Sequence, residues 1–397
     1  MRAIGGVFRN YDWGSREAIA RLQGRLVPSE EPEAELWFGS HPTAPSPLPD
    51  GRGLDEEHQL PFLVKILAAA QPLSLQAHPD AERAREGFDR ESELTASAPV
   101  IAGVAGAALA QELSRRNYVD PNPKPEMLVA LTEFSALCGF RKPALAAQAI
   151  ASLQVPQLTW LVEELNGPVA EEALASAVTQ LLDLDRSDCA VYIEQALKAV
   201  EHAGDGHMFA DAHAVLRQLS QYYPDDPGVF VALLLEHVVL QPGEGLFMPT
   251  GHMHAYLSGM GVEIMAASDN VLRGGLTNKH VDVPELLRVV KFTPIGDPRR
   301  APSGSNSSAS VRHWPVETDE FRVVQARLHS GERDQTTGVE ESFSPTGPRI
   351  VLCVKGQVTV SDAEGSAQLS PGQAAFSGPA GGTITAFGDG EVFLISQ

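Results

Sequence analysis

Three short segments carry side chains suited to holding a divalent metal. They are Gln76-Ala77-His78-Pro79, Lys124-Pro125-Glu126 and His254-Ala255-Tyr256. Gln76, His78, Glu126 and His254 offer one amide oxygen, two imidazoles and one carboxylate. Neutral imidazoles and a single anion would leave a bound divalent ion with residual positive charge, able to polarise an oxygen rather than only staple the chain. Gln76 and His78 lie two apart and share a face on a strand of period two. His252 has the same parity as His254, so parity alone does not separate them. A lone histidine in an apolar strand is more often a satisfied core residue, and Lys-Pro-Glu is common in surface loops. The segments therefore gain weight only together.

These groups must be positioned by β-structure. Phe62 to Leu67, Met127 to Leu131 and Gly245 to Pro249 read as strands. Asp80 to about Arg116 is rich in Ala and Glu and reads as helical. From Pro143 to His237 the texture changes: Val169, Ala173, Leu174, Ala177, Val178, Leu181 and Leu182 form a helical stripe. Asp188 is expected to cap the next helix, and Asp226-Pro227 reads as a cap followed by proline at the first helical position. Val229 to Leu240, interrupted by Glu236 and His237, reads as a buried helix running into a strand.

Asp297 to Ser310 reads as a linker by composition. Beyond it, Arg349 to Val360 and Glu391 to Ile395 read as strands, with turns at Gly356 and at Gly388-Asp389-Gly390. Gln241-Pro242-Gly243-Glu244-Gly245-Leu246-Phe247 is echoed by Ser370-Pro371-Gly372-Gln373-Ala374-Ala375-Phe376, a turn feeding a strand as in jelly-roll (cupin) barrels. The expected fold is mainly β with a helical insertion: two cupin-like β-barrels plus an α-helical domain. Residues 1–142 and 238–296 would form the first barrel, 143–237 the helical domain and 312–397 the second barrel. No histidine follows His329, so the second barrel is expected to be metal-free.

The chain has 397 residues, 43% hydrophobic and 20% charged, which fits a globular protein of two or three domains. No apolar run is long enough for a bilayer, and the N-terminus has no signal-peptide profile. Cys138, Cys189 and Cys353 are odd in number and far apart, which suggests neither a disulfide framework nor a cysteine zinc site and makes the cytoplasm the expected compartment. A formal net charge of −21 argues against nucleic acid and anionic membrane as partners.

The stretch from Gly259 to Lys279, with Ser268-Asp269-Asn270-Val271-Leu272-Arg273-Gly274-Gly275 at its centre, resembles the signature of class I phosphomannose isomerases. These are zinc enzymes that interconvert mannose 6-phosphate and fructose 6-phosphate. Tyr11-Asp12-Trp13-Gly14-Ser15 and Ala34 to Pro42 look like the family's opening motifs, and the matching blocks run in family order from Tyr11 to Leu286. The resemblance implies one Zn(2+) per chain on Gln76, His78, Glu126 and His254, and Arg273 as catalytic arginine. It places Ser74 and Lys124 beside the sugar phosphate, Lys279 as a further basic residue of the pocket, and Glu263 and Asp269 as acidic residues of the same cleft. Which carboxylate moves the proton stays open at this level. Pro123 departs from the family, which commonly has histidine there.

The implied reaction moves a proton between adjacent carbons through a cis-enediol, so charge builds on two sugar oxygens. A metal and a guanidinium would stabilise that charge, and a carboxylate would carry the proton. A small sugar phosphate is the expected partner, and a monomer the expected state. Two rival readings are an iron dioxygenase of the cupin type and a non-catalytic sugar-phosphate-binding cupin.

Overall fold

In the computed structural model, residues 1–97, 116–203, 206–303, 311–328, 337–338 and 347–397 are described; for 94–97, 203 and 337–338 this covers the backbone alone. Alternation along three strands decides the architecture. In Phe62–Ala69, the residues Phe62, Val64, Ile66 and Ala68 enter one core, while Leu67 and Ala69 enter another on the opposite face. Met127 and Val129 of Glu126–Ala130 join the first core, as do Val262 and Ile264 of His254–Ala266. Fully burying each such side chain contributes about 1.5–3 kcal/mol, so this face is fixed. The other face is left to Lys65, Glu126 and Glu263.

The strand His254–Ala266 organises the first, 11-stranded sheet. From Gly259 onward it pairs with Phe62–Ala69 on one side and, from Gly261, with Glu126–Ala130 on the other. Its first residues pair instead with Leu75–Ala77 and Phe134–Phe140. The changeover falls at Gly259, where φ is +117° and a Cβ would lie 2.5 Å from the Glu133 carbonyl oxygen, so no side chain fits. One strand thus carries both His254 and Glu263 into a single cleft.

The second, 8-stranded sheet is built on Arg349–Asp362 and Thr385–Ser396. It packs on the first sheet through a shared core that joins Phe38, Val64 and Ile264 to Phe321, Ile350, Phe376 and Phe393. The two Pro-Gly turns are equivalent in detail. Gly243 N–H donates to Ala130 and Gly372 N–H to Cys353, each at 2.8 Å. Glu244 accepts from Gln241 N at 2.7 Å, and Gln373 accepts from Ser370 N at 2.9 Å. The sequence echo is therefore a structural repeat.

Helices Pro143–Ser152, Thr159–Leu165, Ala170–Leu182, Arg186–Ala203, Ala210–Tyr222 and Gly228–Ala232 form the helical layer. It shares a core with Leu75, Ala77, Met253, Ala255, Leu257 and Leu272. Each of these is a sequence neighbour of Gln76, His254, Tyr256 or Arg273, so the helices bury one face of the strands and aim the functional residues from the other.

Several local expectations change. Asp188 lies inside the first turn of Arg186–Ala203 rather than at its cap. Pro227 itself is the cap of Gly228–Ala232, while the Asp226 carboxylate accepts from the backbone N–H of Gly228 and of Thr277. Gly356 and Gly388 do not end strands; Gly356 pairs with Gly390 inside two long ones, and both glycines bend them with positive φ. Arg299–Arg300, expected in a linker, pairs with Gly245–Met248. Arg2–Ile4 joins the second sheet, beside Gln373–Ser377. The expected helix through Arg116 is described as Ala81–Ser97, with 98–115 outside the described residues. The same holds for 304–310 of the linker and for His329.

Candidate active site

Strand register assembles the site. Gln76 pairs with His254 on one side and with Arg273 on the other, and directly opposed residues share a face. Glu263 lies opposite Lys65, and Met265 opposite Glu126. A cleft of about 570 Å³ receives Ser74, Gln76, Lys124, Glu126, Glu263, Asp269, Arg273 and Lys279 in its wall, with Trp13 and Trp37. His78 and His254 are almost fully buried against Glu126.

The His78, Glu126 and His254 donor atoms lie within 4.8 Å of one another. The His78 Nδ1–H donates to the Asn270 carbonyl at 2.7 Å, and the His254 Nδ1–H to the His252 carbonyl at 3.0 Å. Both Nε2 atoms therefore present lone pairs to the Glu126 carboxylate, at 3.3 and 3.4 Å, and neither they nor Glu126 Oε2 has a hydrogen-bond partner. Acceptors facing acceptors in a buried place can hold a cation between them. Metal–ligand bonds of about 2.0–2.2 Å give tetrahedral edges of about 3.3–3.6 Å, which these separations match. The residues fit a metal. His252, which parity could not exclude, lies in the turn before the strand and serves through its carbonyl.

Electrostatics suit the same purpose. Burial, with Lys124 nearby, pushes the His78 imidazole down to about 4, so it is neutral and able to ligate at pH 7. Burial alone would raise Glu126, but Lys124 and the two imidazoles hold it well below the usual carboxylate range. Lys124, expected beside the sugar phosphate, lines the cleft with its buried ammonium 3.1 Å from Glu126 Oε1.

The two cleft carboxylates differ. Glu263 is buried, and both its oxygens are occupied, Oε2 by Lys65 Nζ and Oε1 by the Tyr256 hydroxyl, each at 2.8 Å. Burial raises its pKa, with Lys65 opposing. Lys65 also reaches Glu35 at 3.4 Å, and these carboxylates outweigh burial to keep it protonated. Asp269 is 40% exposed and bonded through Oδ2 to His41 Nε2 at 3.0 Å. That bond outweighs burial and holds Asp269 below the usual range.

Arg273 and Lys279 have no carboxylate partner among the described residues, and burial lowers both, with Arg273 also acting on Lys279. The strap carrying Lys279 is tied to the helical layer: Arg186 donates to the Thr277 carbonyl and Asp226 accepts from Thr277 N–H. Gly275, at φ +119°, packs against Gly228, where a side chain on either would collide.

Sequence reasoning missed Lys65, Glu35 and the aromatic wall. The signal for Lys65 was present, since a charge inside Phe62-Leu63-Val64-Lys65-Ile66-Leu67 must be paired if that strand is buried.

Comparison with known proteins agrees with this geometry. The profile of the family described as phosphomannose isomerase type I, catalytic domain, matches residues 1–58 and 48–143. The mannose-6-phosphate isomerase of Salmonella typhimurium is 34% identical over 418 residues, covering 99% of this chain and 98% of that protein. The mouse enzyme of the same name is 31% identical over 401 residues, covering 89% and 87%. The crystal structure of the apo form from Salmonella typhimurium superposes with a TM-score of 0.82 at 33% identity, covering 100% of this chain and 99% of that one. A mannose 6-phosphate isomerase bound with zinc and yttrium superposes with a TM-score of 0.82 at 32% identity and the same coverage.

Proposed function

The chain belongs to the type I phosphomannose isomerase family, and from that premise we propose how its residues divide the work of interconverting mannose 6-phosphate and fructose 6-phosphate. It is an aldose–ketose isomerase. The observation that carries the substrate reading is the pair Arg273, half-buried, and Lys279, exposed at the cleft rim: neither has a carboxylate partner among the described residues, and a sugar phosphate brings negative charge to both, at its phosphate and at its reacting oxygens.

Gln76, His78, Glu126 and His254 hold one zinc per chain in this reading. When bound, the zinc supplies a Lewis acid that polarises the sugar oxygens at C1 and C2. Lys124 sets the charge of Glu126 and borders the sugar. Arg273, on the strand beside Gln76, directs guanidinium donors at the oxygen that gains charge. Asp269 takes the proton from C2 of mannose 6-phosphate and returns it to C1, while the O2 hydroxyl proton is lost and O1 gains one, so composition is unchanged. Glu263 is less suited to that task because Lys65 and Tyr256 occupy both its oxygens; it holds Lys65 at the cleft wall. Ser74 and Lys279 hold the substrate.

The three buried, free cysteines are in keeping with the cytoplasm. No helix among the described residues is long and apolar enough to cross a membrane.

A coupled assay for fructose 6-phosphate, with and without chelator, tests the reading. Turnover abolished by chelator and restored by zinc is expected. Binding of mannose 6-phosphate without turnover would instead favour a sugar-binding cupin, and activity requiring Fe(II) and oxygen a dioxygenase.

A further inference from the structure

We propose that His41 is the positioning residue for Asp269, fixing its carboxylate for proton transfer at the sugar carbons. The proposal rests on the isomerase reading above. His41 is nearly buried and bridges two contacts: its Nε2 meets Asp269 Oδ2 at 3.0 Å, and its Nδ1 meets the backbone N–H of Thr43 at 3.3 Å. A backbone N–H can only donate, so Nδ1 accepts and the proton of the neutral ring sits on Nε2, pointing at Asp269. The Thr43 hydroxyl, 3.0 Å from Nδ1, can donate to the same lone pair. Trp37 packs edge-on to the ring, centroids 5.0 Å apart at 73°, and blocks its rotation.

Asp269 is held at a second point, its backbone N–H donating to Asp120 Oδ2 at 2.8 Å. With Oδ2 engaged, Oδ1 is left without a donor among the described residues, in a side chain that lines the cleft. Without His41 this carboxylate would rotate about its last torsion and spend less time aligned. A misplacement of about 1 Å at a reacting group can cost on the order of 10²-fold in rate. The sequence gives no hint of the pairing, because His41 and Asp269 are 228 residues apart.

Two isosteric substitutions separate positioning from a purely structural role. His41→Gln puts an amide N–H near the Nε2 position and keeps the contact to Asp269 while losing that to Thr43. His41→Asn puts an amide oxygen near Nδ1 and does the reverse. Kinetics are normalised to zinc content and folded fraction. His41→Gln should keep kcat within about threefold, whereas His41→Asn should lose about 10–100-fold in kcat with KM changed less than about threefold. In an Asp269→Asn background, His41→Asn should cost less than about threefold more, because the group it positions is gone. The reverse order, equal losses in both variants, or fully additive losses in the double variant would overturn the proposal. Absence of isomerase activity in the unsubstituted zinc enzyme would instead overturn the functional reading, so the two failures are distinct.

Discussion

Acid should destabilise the metal-free protein through His78, and the size of the effect follows from its burial. The imidazole lies at about 4 in the folded chain, against 6.5 for an ordinary histidine. Between these values the unfolded chain binds a proton that the folded one refuses, so stability falls as pH falls. The contribution is fully present above 6.5 and is lost down to about 4. From pH 7 to pH 5 the linkage amounts to about 1.8 kcal/mol from this one ring. Glu126 acts in a separate window, because its carboxyl is held well below the usual range and stays ionised throughout. Burial also lowers His213, His237 and His252, which steepens the slope but cancels when a His78→Gln variant is compared with the parent. Urea titrations of chelator-treated protein at the two pH values give the difference directly. The pH-dependent loss should be smaller by about 1.8 kcal/mol in the variant. Equal losses in both proteins would refute the reasoning, since His78 would then titrate normally.

Glu126→Gln should leave the barrel folded but strip it of metal, because it removes the anion facing both imidazoles; stoichiometric zinc with full activity in that variant would contradict the ligand assignment. Arg273→Ala should lower kcat by about 10²–10³-fold, the scale for one preorganised donor, with metal content unchanged and KM affected less. Arg273→Lys should recover little of that, for want of the planar fork, and recovery of most of it would recast Arg273 as a phosphate clamp. Gly356→Ala should destabilise the second sheet by about 1–3 kcal/mol, since its φ is +69° and a Cβ would collide with the Asp389 carbonyl. Its kcat per folded molecule should not change, and a change there would give the C-terminal sheet a part in the chemistry.

Part of the site was legible from strand periodicity, a local property, while Arg273, Glu263, Asp269 and Lys279 were implied by the family resemblance alone. Gln76 and His78 announce a shared face two residues apart, and the Pro-Gly echo at Pro242 and Pro371 becomes the same turn with a side-chain acceptor at the same position, Glu244 in one and Gln373 in the other. What stayed hidden depends on partners distant in sequence. His252 and His254 have equal parity, and they are separated by where the strand begins. The pairing of the Lys124 ammonium with the Glu126 carboxylate is not announced by Lys-Pro-Glu itself. The glycines Gly356 and Gly388 read as turns because their preference for positive φ does not say whether a strand stops or bends. The N-terminal strand could not be assigned to a sheet, because its partner Gln373–Ser377 lies at the other end of the chain.

An acidic protein that binds a phosphate ester must solve the problem locally. The cleft wall holds four cations, Lys65, Lys124, Arg273 and Lys279, against four carboxylates, Glu35, Glu126, Glu263 and Asp269. Lys65 and Lys124 are paired with Glu35, Glu263 and Glu126. Asp269 is engaged by a neutral imidazole donor rather than by a cation, and so keeps its charge for the proton. The cations left without a carboxylate are Arg273 and Lys279, and binding zinc would add positive charge beside Gln76. A chain with formal charge −21 thereby presents a cleft whose net charge turns positive once its metal is bound. Screening over about 8 Å at physiological ionic strength weakens the influence of the distant surface carboxylates. Within that distance the proposed arrangement separates the labour: paired lysines set the charge of the carboxylates, Lys279 meets the phosphate, and Arg273 meets the charge that builds on the sugar oxygen.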